Sequence, residues 1–112
     1  MRSPSERVRD VLVAIENIER YLPRGRASMQ ADELLQTWFV RQLEVLGEAA
    51  AGIPEDVRRR APQVPWPKIT GMRNVLVHRY HTLDLDLVWD AVAIEVPKIK
   101  RHFEALLDDL EP

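Results

Sequence analysis

The residues best equipped for chemistry crowd into one octapeptide, Arg73-Asn74-Val75-Leu76-Val77-His78-Arg79-Tyr80. An arginine presents a planar fork of N–H donors that matches phosphate oxygens. A histidine, with an ordinary pKa of about 6.5, takes or gives a proton near neutrality. Asn74 can orient the imidazole or a substrate hydroxyl, and Tyr80 adds a phenol. On one continuous helix, Asn74 and His78 are i,i+4 neighbours about 40° apart, and Arg73 and Tyr80 lie about 20° apart. Arg73 and His78 are then about 140° apart and flank a site rather than touch. Such a set is suited to phosphate chemistry. The competing reading is a structural histidine on an ordinary helix, and spacing alone does not choose between the two.

The charge pattern adds to the first reading. The 112 residues carry a formal net charge of −2, which by itself argues against a generic polyanion binder. Its distribution is uneven. Residues 1–56 are net −3 and residues 82–112 net −5, while residues 57–81 hold six bases and no acid. Those bases are Arg58, Arg59, Arg60, Lys68, Arg73 and Arg79, with His78 and His81 beside them. Local positive potential of this kind suits an anionic ligand or RNA phosphate. The Arg58–Arg60 run alone reads equally as a solvated charged face.

The surrounding elements are helical. Ser3-Pro4-Ser5-Glu6 is a helix start, with Ser3 as cap, Pro4 in the first turn and Glu6 completing a capping box. Val8, Val11, Leu12, Ile15, Ile18 and Leu22 then form one apolar stripe, ended by Pro23-Arg24-Gly25. The pattern predicts a second helix from about Ser28 to Ala51, whose apolar surface is wider than one neighbour needs. It is either central in a bundle or shared with a second chain. Gly47 inside it costs about 1 kcal/mol against alanine, which points to close backbone approach by another helix. Pro54, Pro62, Pro65 and Pro67 make the next stretch irregular, and Trp66 is expected to anchor it to the core. A third helix is predicted from Pro67 or Lys68 to about Tyr80. Asp84 or Asp86 can cap a fourth. Trp89, Val92, Val96, Ile99, Phe103, Leu106 and Leu110 form its seam, either intrachain core or a pairing surface, with a bend expected at Pro97. No segment shows convincing strand alternation. The expected fold is all-α: a single domain over residues 1–112, an antiparallel four-helix-type bundle with a proline-rich link between the second and third main helices.

Other chemistries lack their residues. With no cysteine there is no disulfide framework, thiolate metal site or thiol nucleophile, and a reducing cytoplasm is the expected location. The N-terminal stretch has no apolar run of a signal peptide and no segment is long enough for a membrane span. No glycine-rich phosphate loop is present. Asp84, Asp86 and Asp90 fit capping better than a cation site, so no metal or cofactor is expected. His81 reads as the end of the third helix and His102 as a surface residue. Glu48 is either a partner for Arg73 across the bundle or an exposed helix acid.

The arrangement Arg73-Asn74, then His78 and Tyr80, resembles the signature of HEPN-superfamily proteins, and more narrowly of HepT-type toxins that pair with minimal nucleotidyltransferase antitoxins. Leu46-Gly47-Glu48-Ala49, the Pro65-Trp66 loop, Ile69-Thr70-Gly71-Met72 and Leu83 to Trp89 are similar too, so the likeness covers nearly the whole chain. It implies a HEPN-like bundle that forms a homodimer with two motifs facing one cleft, acting as a metal-independent ribonuclease. Arg73 and His78 would carry catalysis with support from Asn74. Tyr80 would accept AMP from the antitoxin, which would silence the enzyme. Arg58, Arg59, Arg60, Lys68 and Arg79 would guide RNA. The alternative is a non-catalytic module that binds a nucleotide or a partner through the same cleft.

Overall fold

The computed structural model describes the backbone of residues 1–75, 77–78 and 82–112, with side chains at 1–73 and 83–112. Helix α1 spans Pro4–Tyr21 and starts as a capping box: the Ser3 hydroxyl accepts from the Glu6 N–H and the Glu6 carboxylate accepts from the Ser3 N–H. This satisfies two of the donors that a helix start leaves unpaired. A 3₁₀ turn over Leu22–Arg24 ends at Gly25, whose φ of +88° glycine adopts without a Cβ clash.

The expected second helix is two helices. Helix α2 covers Gly25–Ala31 and α3 covers Glu33–Ala51. Asp32 separates them because its carboxylate accepts from the N–H groups of Leu34 and Leu35, so its own backbone takes an extended conformation. After α3 come a single turn, α4 (Glu55–Arg58), and the proline-rich link. Helix α5 runs from Trp66 to Val75.

The third helix is therefore shorter than the sequence predicts. It stops at Val75, and Val77–His78 (β1) pairs antiparallel with Thr82–Leu83 (β2), Val77 opposite Leu83 and His78 opposite Thr82. Val75, Val77 and Thr82 are β-branched, and such side chains favour extended backbone over a helix end. Helix α6 (Leu85–Asp90) is capped by Asp84, whose carboxylate accepts from the Leu87 N–H. It passes through a π turn at Ala91–Glu95 into α7 (Val96–Leu110). The Val96 N–H reaches back to the Ala91 carbonyl, one residue further than in an α-helix. Pro97 explains the widened turn. It has no N–H, and its ring would meet the carbonyl four residues back. At Pro97 the helix is widened rather than broken.

Helix α3 is central. It packs against both α1 and α5, while α7 packs against α1 and, through Phe103, against the start of α5. The α1–α3 pair is antiparallel and pinned by polar contacts. Trp38 Nε1 donates to the Asn17 carbonyl at 2.9 Å, and Asn17 Nδ2 donates to Gln42 Oε1 at 3.1 Å. Most of the α3 apolar surface is core, with Leu35, Phe39, Leu43, Leu46 and Ala50 buried and Trp38 partly so, while Leu34 stands exposed. The α6–α7 seam is core as well, with Val92, Val96, Ile99, Phe103 and Leu106 buried beside Val8, Val11, Ile15 and Ile18 of α1. Each such side chain contributes roughly 1.5–3 kcal/mol on burial. The class is all-α, as the sequence predicts, with one short β pair added. Among the described residues no helix is long and apolar enough to cross a membrane.

Candidate functional site

Helix α5 is the platform of the site, and three contacts set its position. At its start, the Trp66 ring meets Phe103 edge-on with centroids 5.5 Å apart, and its Nε1 donates to the Ala61 carbonyl at 3.1 Å. The proline-rich link is anchored in this way, as Trp66 led one to expect. Along its inner face, Ile69 and Met72 are buried in the core. On its flank, Lys68 Nζ lies 2.5 Å from Glu95 in the π turn. The hydrogen bond from Lys68 holds the Glu95 carboxyl below its ordinary range, against the opposing cost of burial.

The closest contact is with α3. A Cβ built on Gly47 would stand 2.7 Å from the Arg73 backbone nitrogen, 3.2 Å from Arg73 Cβ and 3.3 Å from the Ile69 carbonyl oxygen. The glycine therefore permits the close helix approach anticipated for it. Arg73 rides on the outer side of this contact, exposed. Among the described residues no carboxylate pairs with it. Asn74 follows in the last turn of α5.

His78 does not share that helix. Its backbone belongs to β1, so ladder pairing with Thr82, not helical phase, sets its place. The i,i+4 relation of Asn74 to His78 and the near alignment of Arg73 with Tyr80 fall away with the helix. Both relations assumed 100° per residue. Arg79, Tyr80 and His81 lie outside the described residues. The proposed AMP acceptor and one proposed RNA contact are among them.

The remaining bases are dispersed. Arg58 turns inward. Its Nε donates to the Ile53 carbonyl at 2.9 Å, and its terminal nitrogen donates to the carbonyls of Ala51 at 3.0 Å and Ala50 at 3.3 Å. Its guanidinium also covers the Trp66 ring at 5.4 Å. It thereby closes the C-terminal end of α3, where a cation is favoured. Arg59 is exposed beside Glu55 at 3.8 Å, and Arg60 pairs with Asp109 at 2.7 Å. With Lys68 on Glu95, the acid-free stretch of sequence is partly neutralised in space by acids from other elements. Glu48 forms no ion pair with Arg73 among the described residues. It is exposed and borders a shallow hollow with Arg7, Asp10, Val13, Val45 and Ala49. Asp86 pairs with Arg26 at 2.6 Å, and His102 is half-buried.

Sequence reasoning missed Glu95 and Asp109 as partners, because pairing between remote elements leaves no local signal. It also missed a hollow of about 290 Å³ beside α5. Lys68, Met72, Leu87, Ala91, Ile94 and Glu95 line it, together with Asp90. Among the described residues no group of three or more His, Cys, Asp or Glu side chains is placed to hold a metal ion. What the described residues offer is an exposed Arg73 guanidinium at the end of α5, with Asn74 next in the chain and the His78 backbone on β1. By type, an arginine can grip phosphate oxygens and a histidine can move a proton.

Comparison with known proteins finds a matching family and relatives whose names are those of ribonucleases. A family described as Ribonuclease HepT-like matches residues 11–106. A candidate RNase of Methanocaldococcus jannaschii is 43% identical over 72 residues, 64% of this chain and 62% of that protein. The protein of Thermococcus cleftensis named Probable ribonuclease HepT is 34% identical over 106 residues, 94% of this chain and 96% of that one. A candidate RNase of Caldanaerobacter subterraneus is 31% identical over 108 residues, 96% of each. The alignments cover 62% and 60% of the length of two Methanocaldococcus relatives, and nearly all of the other two proteins. No solved structure matches significantly.

Proposed function

This chain belongs to the ribonuclease HepT-like family, and from that premise we propose that it cleaves RNA without a metal, as the toxin half of a toxin–antitoxin pair. The observation that carries the reading is Arg73, an exposed cation on α5 with no carboxylate partner among the described residues, followed at once by Asn74. An unneutralised guanidinium is what a phosphodiester needs, since two N–H groups meet two phosphate oxygens and steady the charge that builds on them.

In this reading the RNA 2′-hydroxyl attacks the adjacent phosphorus. Its proton passes to a base, the 5′-oxygen leaves and takes a proton from an acid, and a 2′,3′-cyclic phosphate remains. Each chain supplies one His78. Two chains meeting at their motifs supply two, one for each proton, and two Arg73 guanidiniums around one phosphate. The working form is therefore a homodimer. Asn74 supports the site. Lys68, Arg59 and Arg60 border the route for RNA, their carboxylate partners exchanging for phosphates, and Arg79 extends it.

Regulation falls to Tyr80. A minimal nucleotidyltransferase antitoxin transfers the AMP of ATP to its phenol, with pyrophosphate leaving and the phenol proton lost, and the bulky anion added two residues from His78 in sequence blocks RNA. Two assays test this together. Purified protein is incubated with RNA in the presence of a chelator, and its intact mass is measured after co-expression with the transferase. Cleavage in chelator, and added mass in AMP-sized steps that Tyr80→Phe abolishes, are expected. Intact RNA that remains bound to the protein would favour the non-catalytic binding module instead.

A further inference from the structure

Gly47 lies on α3, away from the motif in sequence, yet it is the residue against which Arg73 is seated. We infer that Gly47 is a positioning residue for Arg73: the absent side chain lets α5 settle onto α3 at the depth that places the guanidinium. The inference rests on the catalytic reading above.

The contact is specific to one point of α5. The atoms that a Cβ at Gly47 would meet are the Arg73 nitrogen at 2.7 Å, Arg73 Cβ at 3.2 Å and the Ile69 carbonyl at 3.3 Å. Two of the three are backbone atoms, so no side-chain rotation can relieve the clash. Ordinary contact begins near 3.4 Å, so the two helices must part by about 0.7 Å at Arg73. The rest of α5 resists such movement. Ile69 is fully buried, Met72 nearly so, and Trp66 is held by Phe103 and Ala61. The displacement is thereby concentrated on the one turn that carries Arg73 and Asn74. Misplacement of a catalytic group by about 1 Å costs on the order of a hundredfold in rate.

Gly52, also at α3, is the contrast. A Cβ there would meet the guanidinium of Arg7, the far end of a flexible side chain, and its backbone is already right-handed at φ −83°, ψ −6°. Alanine at Gly52 has an easy escape that alanine at Gly47 lacks.

The test is steady-state RNA cleavage by the full chain, with a short oligoribonucleotide as substrate. Gly47→Ala is expected to lower kcat by roughly 10- to 100-fold while KM stays within about twofold, since many contacts hold the RNA and one stabilises its transition state. Gly52→Ala is expected to cleave as the parent does. In an Arg73→Lys background the Gly47→Ala loss should shrink to a few-fold, because the fork being positioned is gone. An unchanged kcat in Gly47→Ala overturns the inference, and so does an equal loss in both backgrounds, which marks general destabilisation. If Gly47→Ala yields no folded protein, Ile69→Val decides. It loosens the same seat by one methylene without a clash, and is expected to lower kcat several-fold at constant KM; parental kcat refutes the inference. Arg73→Ala reports on the underlying reading alone: full cleavage by that variant sinks the catalytic assignment, whatever Gly47 does.

Discussion

Replacing Arg58 by alanine separates a structural arginine from an RNA-binding one. The side chain donates three hydrogen bonds to the carbonyls of Ala50, Ala51 and Ile53, at 2.9 to 3.3 Å, and lies over Trp66. It is half-exposed, so each bond contributes toward the low end, about 0.5 kcal/mol net. The cation–π contact adds about 0.5 kcal/mol, which brings the total loss to about 2 kcal/mol. For a domain of this size that lowers Tm by roughly 8–10 °C. Thermal unfolding followed by circular dichroism measures the loss. RNA affinity across a salt series measures the other role: a base that contacts phosphate reduces the slope of log K against log salt by about 1. The placement of Arg58 predicts a lower Tm and an unchanged slope. An unchanged Tm with a reduced slope would refute the reasoning and return Arg58 to the RNA surface.

Other outcomes follow from the same contacts. Phe103→Ala removes a fully buried ring and the edge that holds Trp66, and is expected to cost about 3–5 kcal/mol in urea unfolding. Asp32→Ala removes the cap of α3 and is expected to cost about 1 kcal/mol by the same assay. Glu95 has its carboxyl pKa depressed by Lys68, so the stability it contributes is complete above the ordinary carboxylate range and is lost as pH falls through the depressed value. Tm profiles of the parent and Glu95→Gln should therefore differ at neutral pH and converge on acidification.

Much of the fold was legible because its signals are local. Ser3, Pro4 and Glu6 announce the start of α1 within four residues, and the structure forms that capping box. Gly47 and Trp66 were recognisable as packing residues because each is costly or out of place where it stands. The end of α5 was not legible. A β pair of two residues per strand is too short to show alternation, and the helical phase of the octapeptide was extended through it. The charge segregation of residues 57–81 was real along the chain and partly dissolved in space, since Glu95 and Asp109 approach Lys68 and Arg60 only once α7 has folded back. Arg58 shows the same limit. A run of three arginines reads as one feature, yet its members cap a helix, face solvent and pair with α7 respectively.

In the proposed reaction Arg73 and His78 cut RNA through its own 2′-hydroxyl. End-group analysis of RNA incubated with the purified chain in excess chelator tests it most directly. Fragments ending in 2′,3′-cyclic phosphate and 5′-hydroxyl, made by the parent and lost in both Arg73→Ala and His78→Ala, are expected. Intact RNA with the parent protein, or the same fragments from His78→Ala, would contradict it.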